Sequence, residues 1–335
     1  MPLTPIVVTV GEPAGIGPDC ILLAWKHRPE AFENACVCTP AAWLAERAAL
    51  LGMSPGAAPP LVDVDGPEAA PGAIACWNPG VEPGQVAPGQ PSPATAPAVI
   101  GCIEAAARAC MDDRAAAMVT GPIDKSVLRD AGFDFPGHTE FLAHLAGVPR
   151  VVMMLASDAL RVALVTTHMA LRDVPGALDE QGVLETLAIT ARELERRLGI
   201  ERPRLALCAL NPHGGEAGHF GDEEIRVLAP AARRAREAGL DVTGPLPADS
   251  LFAAGRREAF DAIVCCYHDQ ALIPLKALSF GDAVNITLGL PFVRASVDHG
   301  TAPERAGTGE VSYSSLVAAL EMARAMRSRQ AEKPS

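Results

Sequence analysis

Three histidines in this chain each follow an apolar run that predicts a buried strand. The runs VALVTT, LALCALNP and AIVCCY lead directly to His168, His213 and His268. Polar groups that follow parallel strands gather beyond the carboxyl ends of those strands, at one edge of the sheet. Imidazole is the commonest side-chain ligand of metals and suits zinc, cobalt and manganese. Each histidine taken singly is better explained by an ordinary hydrogen bond at a strand end, but three in the same context favour one shared metal site.

A second group of side chains has the chemistry of an anion site. Lysine occurs four times, so Lys125 and Lys276 stand out because both lie inside motif-like segments. Amine, guanidinium, imidazole and hydroxyl groups are the donors expected around a phosphate or carboxylate. Surface charges or ion pairs at strand ends are the alternative for Lys125 and Arg294. The candidate donors, taken from segments 121–147 and 276–307, are His138, Thr139, Lys276, Asn285 and Arg294.

The first predicted strand, PIVVTV, runs into the glycine-rich loop GEPAGIGP at 11–18. A strand that enters a helix through such a loop is typical of phosphate-binding α/β proteins. The spacing is not GxGxxG, and a tight structural turn explains the glycines equally well. The loop therefore predicts an α/β start without identifying a ligand.

Apolar strand-like runs and helical patterns alternate along the rest of the chain. Helices are predicted near 179–198, 222–238 and 312–328. The segment 52–98 is rich in proline and glycine, which predicts irregular connections with short strands around LVDVD and AIACW. Alternation of this kind predicts a mainly parallel, doubly wound α/β sheet, or two linked sheets.

Composition excludes several classes of protein. The 335 residues are 49% hydrophobic and carry a formal net charge of −12. Nucleic-acid binders normally present a basic face, so no nucleic-acid partner is expected. The sequence shows neither a signal peptide nor an apolar run of roughly 18 residues, and this predicts a cytoplasmic protein without a membrane partner. The nine cysteines include no CxxC pair, which indicates reduced core residues rather than disulfides or a zinc site.

Motifs along nearly the whole chain resemble the PdxA family, the 4-hydroxythreonine-4-phosphate dehydrogenases of vitamin B6 biosynthesis. They are GEPAGIGP, GPIDK with GHTEFLA, RVALVTTH with LRDVP, NPHGGEAGHFGDEE, GPLPADSLF, YHDQALIPLK, NITLGLPFVR and DHGTAPERAGTG. The resemblance implies an α/β fold like that of isocitrate and isopropylmalate dehydrogenases, with two linked α/β/α halves around a cleft. Residues 1–335 would then form a single dehydrogenase chain with two interleaved subdomains. The family also implies a homodimer whose active site lies at the subunit interface.

The resemblance assigns residues to the metal and the substrate. One divalent metal, zinc, cobalt, manganese or magnesium, would be held by His168, His213 and His268, one or more of them from the partner subunit. The residues that would bind the substrate are His138, Thr139, Lys276, Asn285 and Arg294.

The resemblance also suggests a cofactor segment and candidates for the general base. NAD or NADP would contact the DHGTAPERAG loop at Gly300, Thr301 and Ala302, and the sequence does not choose between the two cofactors. The candidate bases are Lys276, Asp249 and Asp269. Asp269 has the alternative role of orienting a metal-bound imidazole, as carboxylates commonly do.

The implied reaction is the NAD(P)-dependent oxidation of a small phosphorylated amino acid, 4-phosphohydroxy-L-threonine, at its C3 hydroxyl. Decarboxylation would then give 3-amino-2-oxopropyl phosphate. A sister branch that oxidises phosphorylated erythronate or threonate shares these motifs and is the first alternative. Alternatives of other classes are a metal-dependent phosphohydrolase and a non-catalytic phosphate-binding protein.

Overall fold

The structure is a computed structural model that describes residues 4–54, 56–279 and 283–331. The chain divides into two compact units. The first unit runs to Pro149 and resumes at Leu290, whereas the second is built on Arg150–Gly289. Each unit is described by its own strands and helices.

Short strands, mostly of four or five residues, form the sheet structure of both units. They are β1 (Ile6–Thr9), β2 (Ala35–Cys38), β3 (Leu61–Val64), β4 (Ile74–Trp77), β5 (Ala117–Thr120), β6 (Val152–Ala156), β7 (Arg161–Leu164), β8 (Arg204–Cys208), β9 (Asp241–Leu246), β10 (Ala262–Cys265), β11 (Val284–Leu288) and β12 (Val293–Ser296).

Helices connect most of these strands. They are α1 (Gly17–His27), α2 (Ala41–Leu50), α3 (Ala96–Met111), α4 (Lys125–Asp130), α5 (His138–Leu145), α6 (Val174–Ala177), α7 (Glu180–Leu198), α8 (Ala229–Glu237), α9 (Ala248–Leu251), α10 (His268–Leu278) and α11 (Ser314–Ala331).

In the first unit the strand order is β3-β4-β2-β1-β5-β12, and these neighbours pair in parallel. The carboxyl ends of β1, β5 and β12 lie in register, since Thr9 is opposite Thr120 and Thr120 is opposite Ser296. Residues that follow β1 and β5 therefore meet at the same edge of this sheet.

Helix α3 packs against β1, β2 and β5 of the first unit. Together with the turn before it, this helix forms the helical segment Pro93–Met111, which is long and apolar enough to cross a membrane by length and composition. No such segment was predicted from the sequence. Val99, Ile103 and Ala106 on this helix are buried. These contacts are those of a core helix.

In the second unit the strand order is β11-β6-β7-β10-β8-β9. The strands β7, β10, β8 and β9 are parallel, whereas β6 is antiparallel to both β7 and β11. Its core contains Leu155, Val162 and Ile263 from the sheet, with Ala271 and Leu275 from α10. The predicted mainly parallel α/β arrangement is confirmed, with β6 as the exception.

Two elements near the predicted site were not predicted from sequence. Helix α10 begins at His268 and contains Pro274, and an internal proline normally argues against a helix. Strand β12 carries a buried arginine and a buried serine, so its sequence lacks the apolar pattern of a core strand. The cysteine prediction is confirmed, because all nine are buried and unbridged.

Candidate active site

The three histidines follow neighbouring strands of the second unit. Strand β10 pairs in parallel with β7 on one side and with β8 on the other. His168 comes after β7, His213 after β8, and His268 directly begins α10 after β10. All three therefore follow strands that end at the same edge of this sheet.

His168 and His268 lie side by side, with ring centroids 5.4 Å apart. Nδ1 of His268 is 2.7 Å from Oδ1 of Asp269. An Nδ1 proton donated to this carboxylate leaves Nε2 with the lone pair that binds a metal. Two imidazoles that share one tetrahedral metal, each bound at about 2 Å, have ring centres roughly 5 Å apart. The donor chemistry and spacing of this pair therefore fit a divalent metal.

Two polar side chains hold the segments that carry these histidines. Thr166 donates its hydroxyl to the carbonyl of Cys266 at 2.7 Å, which ties the end of β7 to the end of β10. Gln270 accepts from the backbone N–H of Cys266 at 2.7 Å and donates to the carbonyl of Ala209 at 2.6 Å. Sequence reasoning assigned no role to either residue, although Gln270 belongs to the polar run that follows β10.

His213 lies in a loop with an uncommon backbone conformation. The φ angles of the five consecutive residues from His213 to Ala217 are 55°, 68°, 77°, 43° and 57°. The ring of His213 lies 6.5 Å from that of Phe220, centroid to centroid. Within the described ranges of this chain, no group of three His, Cys, Asp or Glu side chains is arranged to hold a metal ion. The three-histidine ligand set therefore stays a prediction.

The second unit also contains predicted substrate-binding residues and candidate bases, which differ in burial and in their hydrogen bonds. Lys276 lies in the last turn of α10 and is partly buried. Asn285 lies on β11, and its Oδ1 atom is shielded from solvent without a hydrogen-bond partner in the described part of the chain. Because a buried acceptor without a donor is unfavourable, Asn285 is suited to bind a ligand. Asp249 is exposed and accepts the N–H of Ser250 at 2.8 Å.

The first unit contains a separate basic cluster around His138 and Arg294. Arg294 is 3% exposed and donates Nη2 to the hydroxyl of Thr120 at 2.6 Å. Burial lowers the pKa of Arg294 to about 10, although the nearby charge of Glu140 opposes this shift. Burial, followed by the charges of Arg294 and Lys125, holds the pKa of His138 well below its ordinary value. His138 is therefore neutral at physiological pH.

This cluster is suited to a ligand that carries several negative oxygens. The Nε2 atom of His138 is shielded from solvent and has no hydrogen-bond partner among the residues that the structure describes. The guanidinium of Arg294 is a planar, charged donor that matches phosphate or carboxylate oxygens. Thr139, the second residue of α5, is partly buried beside His138 in sequence. A phosphate or carboxylate is the ligand that these groups fit best.

We expect His138 to contribute to a loss of stability in mild acid. Its folded-state pKa lies below the ordinary 6.5, so the unfolded chain takes up this proton first as the pH falls. The stability that comes from keeping this imidazole neutral is present above pH 6.5 and is lost progressively as the pH falls below 6.5. The thermal midpoint of His138→Gln should fall less between pH 7.5 and 5 than that of the wild type, measured by calorimetry in phosphate-free buffer. Equal slopes for the two proteins would show that His138 is not held neutral by the fold.

The glycines of the loop at 11–18 are required for close packing. A Cβ on Gly11 would lie 2.2 Å from the carbonyl oxygen of Pro122, and a Cβ on Gly15 would lie 2.5 Å from that of Thr301. The N–H of Ile16 also donates to the Thr301 carbonyl at 2.9 Å. Packing inside the first unit thus accounts for these glycines, as the tight-turn interpretation proposed.

The predicted cofactor segment, residues 300–302, is anchored by the hydrogen bond from the N–H of Ile16 to the carbonyl of Thr301. Thr301 binds the glycine loop, and Ala302 has a positive φ of 38°. A Cβ on Gly300 would meet no atom within 4 Å, so this residue borders open space. An anchored turn beside open space is compatible with a bound nucleotide, and the cofactor contacts stay a prediction.

Solved structures define the class of protein first. The chain is similar to 4-hydroxythreonine-4-phosphate dehydrogenase from Klebsiella pneumoniae, with a TM-score of 0.88 and 37% identity over 97% of this chain and 100% of that one. It is also similar to a terephthalate 1,2-cis-dihydrodiol dehydrogenase from Burkholderia xenovorans LB400, with a TM-score of 0.65 and 26% identity over 96% and 97% of the two chains. The fold is thus shared with a class of α/β dehydrogenases.

The family follows from the sequence comparisons. Residues 32–323 match the family described as pyridoxal phosphate biosynthetic protein PdxA. A relative from Bradyrhizobium diazoefficiens is 48% identical over 334 residues, which cover 96% of each chain. A relative from Geobacter metallireducens is 46% identical over 96% of this chain and 95% of its own. Both are named 4-hydroxythreonine-4-phosphate dehydrogenase. This chain belongs to the PdxA family, and the resemblance read from its motifs is confirmed.

Proposed function

We propose that this chain oxidises 4-phosphohydroxy-L-threonine at its C3 hydroxyl with NAD or NADP, and that decarboxylation then yields 3-amino-2-oxopropyl phosphate for pyridoxal 5'-phosphate biosynthesis. Relatives at 46% and 48% identity that span nearly the whole chain carry the name of this enzyme. The observation that carries the proposal is the His168–His268 pair, 5.4 Å apart at the carboxyl edge of a parallel sheet in a chain of this family. The enzyme acts in the cytoplasm on a small molecule, without a nucleic-acid or membrane partner.

Before carbon dioxide leaves, the hydroxyl group on C3 must lose its proton and C3 itself must lose a hydride. A divalent metal, when bound, supplies Lewis-acid polarisation of the reacting oxygen, and a nicotinamide cofactor accepts the hydride. His168, His213 and His268 would hold the metal, and Gly300, Thr301 and Ala302 would contact the cofactor. Asp269 keeps the proton of His268 on Nδ1, so that Nε2 is the nitrogen available to a metal.

The basic cluster of the first unit would hold the substrate phosphate. Arg294 supplies a buried positive charge, and neutral His138 supplies a ring nitrogen that the protein itself leaves without a partner in the described residues. Charge-assisted hydrogen bonds of this kind are the strongest that a phosphate makes with protein. Thr139, Lys276 and Asn285 are further predicted substrate ligands.

The general base stays open among three candidates. One oxygen of Asp269 is engaged with His268, and Asp249 is exposed at the start of α9. Lys276 is partly buried on α10, the helix that begins with His268. A base must come within hydrogen-bond reach of the C3 hydroxyl, so the bound substrate decides among them.

The proposal is tested by a dehydrogenase assay of the purified protein with each cofactor. With 4-phosphohydroxy-L-threonine, reduced cofactor and carbon dioxide should appear in equal amounts. Turnover confined to 4-phospho-D-erythronate or phosphothreonate would assign the chain to the sister branch instead. Release of inorganic phosphate without reduced cofactor would indicate a phosphohydrolase, and binding without turnover would indicate a phosphate-binding protein.

We further propose a homodimer in which a second copy of the chain completes the metal site. His168 and His268 already form a pair within one protomer, whereas the described residues of one protomer do not gather three metal-binding groups. His213 of the partner subunit would supply the remaining imidazole. This arrangement is isologous, so each dimer would contain two equivalent sites.

Complementation between inactive variants distinguishes this arrangement from a site built by one chain. Mixing His168→Ala with His213→Ala should restore activity, because one site of a mixed dimer then has all three imidazoles. Mixing His168→Ala with His268→Ala should restore none, because each protomer still lacks one member of its own pair. The measurement is turnover after subunit exchange, which is followed with differently tagged copies. Rescue in the second mixture, or in neither mixture despite exchange, contradicts the proposed division of ligands.

A further inference from the structure

The loop that carries His213 has a backbone conformation that its own residues do not favour. Residues 213–217 all have positive φ, and three of these five residues are not glycine: His213, Glu216 and Ala217. For residues with a Cβ, the left-handed region is unfavourable and is normally visited singly. Such conformations persist where neighbouring groups over-determine them.

A single carboxylate binds the backbone just before His213. Glu224 begins the short π-helix Glu224–Leu228 and is 4% exposed. Its Oε1 accepts from the backbone N–H of Leu210 at 2.9 Å and from that of Asn211 at 2.8 Å. Its Oε2 accepts from the side-chain amide of Asn211 at 2.9 Å. Glu224 therefore fixes the point at which the loop leaves β8.

The carboxylate of Glu224 also lies against the backbone of the loop just after His213, where it leaves no room for a side chain. A Cβ on Gly215 would lie 2.7 Å from Oε2 of Glu224 and 2.7 Å from the carbonyl oxygen of Gly221. Gly215 also has a positive φ of 77°, so a side chain is excluded there by both space and conformation. The loop thus closes around Glu224 on both sides of the histidine.

We propose that Glu224 is a positioning residue for His213. Its carboxylate holds the left-handed segment 213–217 in the conformation that presents the imidazole to a metal. The inference rests on the proposed function, in which His213 is a metal ligand. Groups that orient a metal ligand typically change metal affinity ten- to hundredfold when they are removed. Glu224 acts through the loop and not by touching the metal itself.

The test measures metal affinity rather than turnover. The full-length protein is stripped of metal, and zinc binding is measured by competition with a chromophoric chelator. The visible spectrum of the cobalt-loaded protein reports ligand geometry independently. Glu224→Ala should bind zinc roughly ten- to hundredfold more weakly than the wild type and should change the cobalt spectrum.

Two further variants keep the test decisive if Glu224→Ala does not fold. Glu224→Gln retains the size of the side chain and one acceptor oxygen, but its amide nitrogen would face the amide of Asn211, so a smaller loss of affinity is expected. Gly215→Ala leaves the carboxylate intact and displaces the loop from it, so it should weaken zinc binding as Glu224→Ala does. Glu193→Gln is the matched control, because Glu193 is 3% exposed and pairs with Arg197 on α7.

Comparison with His213→Ala separates the two hypotheses. If His213→Ala binds zinc as tightly as the wild type, His213 is not a ligand, and the three-histidine site and this inference both fail. If His213→Ala weakens binding while the Glu224 and Gly215 variants do not, only the positioning role is overturned. If Glu193→Gln loses as much zinc affinity as Glu224→Gln, the positioning role is also overturned, because the effect would then be a general result of changing a buried carboxylate.

Discussion

Replacing His268 by alanine is expected to lower turnover by roughly a hundredfold or more, and chelation of the metal should have the same effect. His268 has two properties of a metal ligand: its ring lies 5.4 Å from that of His168, and its Nδ1 is held by Asp269. In the proposed site, loss of the imidazole would remove one ligand and weaken the binding of the ion that would polarise the reacting oxygen. Added zinc or cobalt should restore the chelated wild type but not His268→Ala.

Two variants show whether the effect belongs to the metal site. Asp269→Asn keeps the imidazole but weakens its orientation, so a smaller loss of about ten- to hundredfold is expected. His27→Ala removes an exposed histidine that stacks on Tyr313 in the first unit, and its turnover should match the wild type. Full turnover in a sample shown by elemental analysis to be metal-free would contradict the metal dependence.

Replacing Arg294 by alanine is expected to raise the KM for 4-phosphohydroxy-L-threonine roughly ten- to hundredfold. One charge-assisted hydrogen bond contributes about 1.5 to 3 kcal/mol, and a tenfold change corresponds to about 1.4 kcal/mol. We expect kcat to fall as well, because phosphate binding also orients C3 for hydride transfer, which tolerates little displacement. Steady-state kinetics separate the two effects.

A lysine at position 294 provides the conservative comparison. Arg294→Lys keeps the charge and loses the planar donor pair, so its KM should lie between those of the wild type and Arg294→Ala. Arg197→Lys is the matched control, since Arg197 is likewise buried and is paired with Glu193 in the second unit. The unphosphorylated substrate analogue should be a poor substrate of the wild type. The preference for the phosphorylated substrate is the ratio of its kcat/KM to that of the unphosphorylated analogue. If this ratio is the same in Arg294→Ala as in the wild type, Arg294 does not bind the phosphate.

Several elements could be predicted because their signals are local. Helix α7 was expected near 179–198 and extends over Glu180–Leu198. Asp179 caps its first turn by accepting the N–H of Gly182 at 2.8 Å, and Gly199 ends it in the left-handed conformation. Both signals lie next to the helix in sequence, so the pattern of residues alone is sufficient.

The sequence also singled out the residues that we propose for the chemistry. The apolar runs before His168, His213 and His268 marked the ends of three strands, and the motifs around them identified the PdxA family. Motifs carry this information because a family retains residue types at fixed spacing. They do not show which of these residues lie next to each other.

Tertiary structure decided the neighbourhood of each candidate. Strand β10 lies between β7 and β8, and this order makes His168 and His268 neighbours although they are far apart in the chain. Burial also gives Arg294 and His138 pKa values that the sequence does not indicate. Glu224 belongs to the acidic run GDEE, which by itself is typical of a solvated surface, yet the fold buries it against the loop of His213. Strand pairing and burial depend on contacts between distant residues, so only the folded chain determines them.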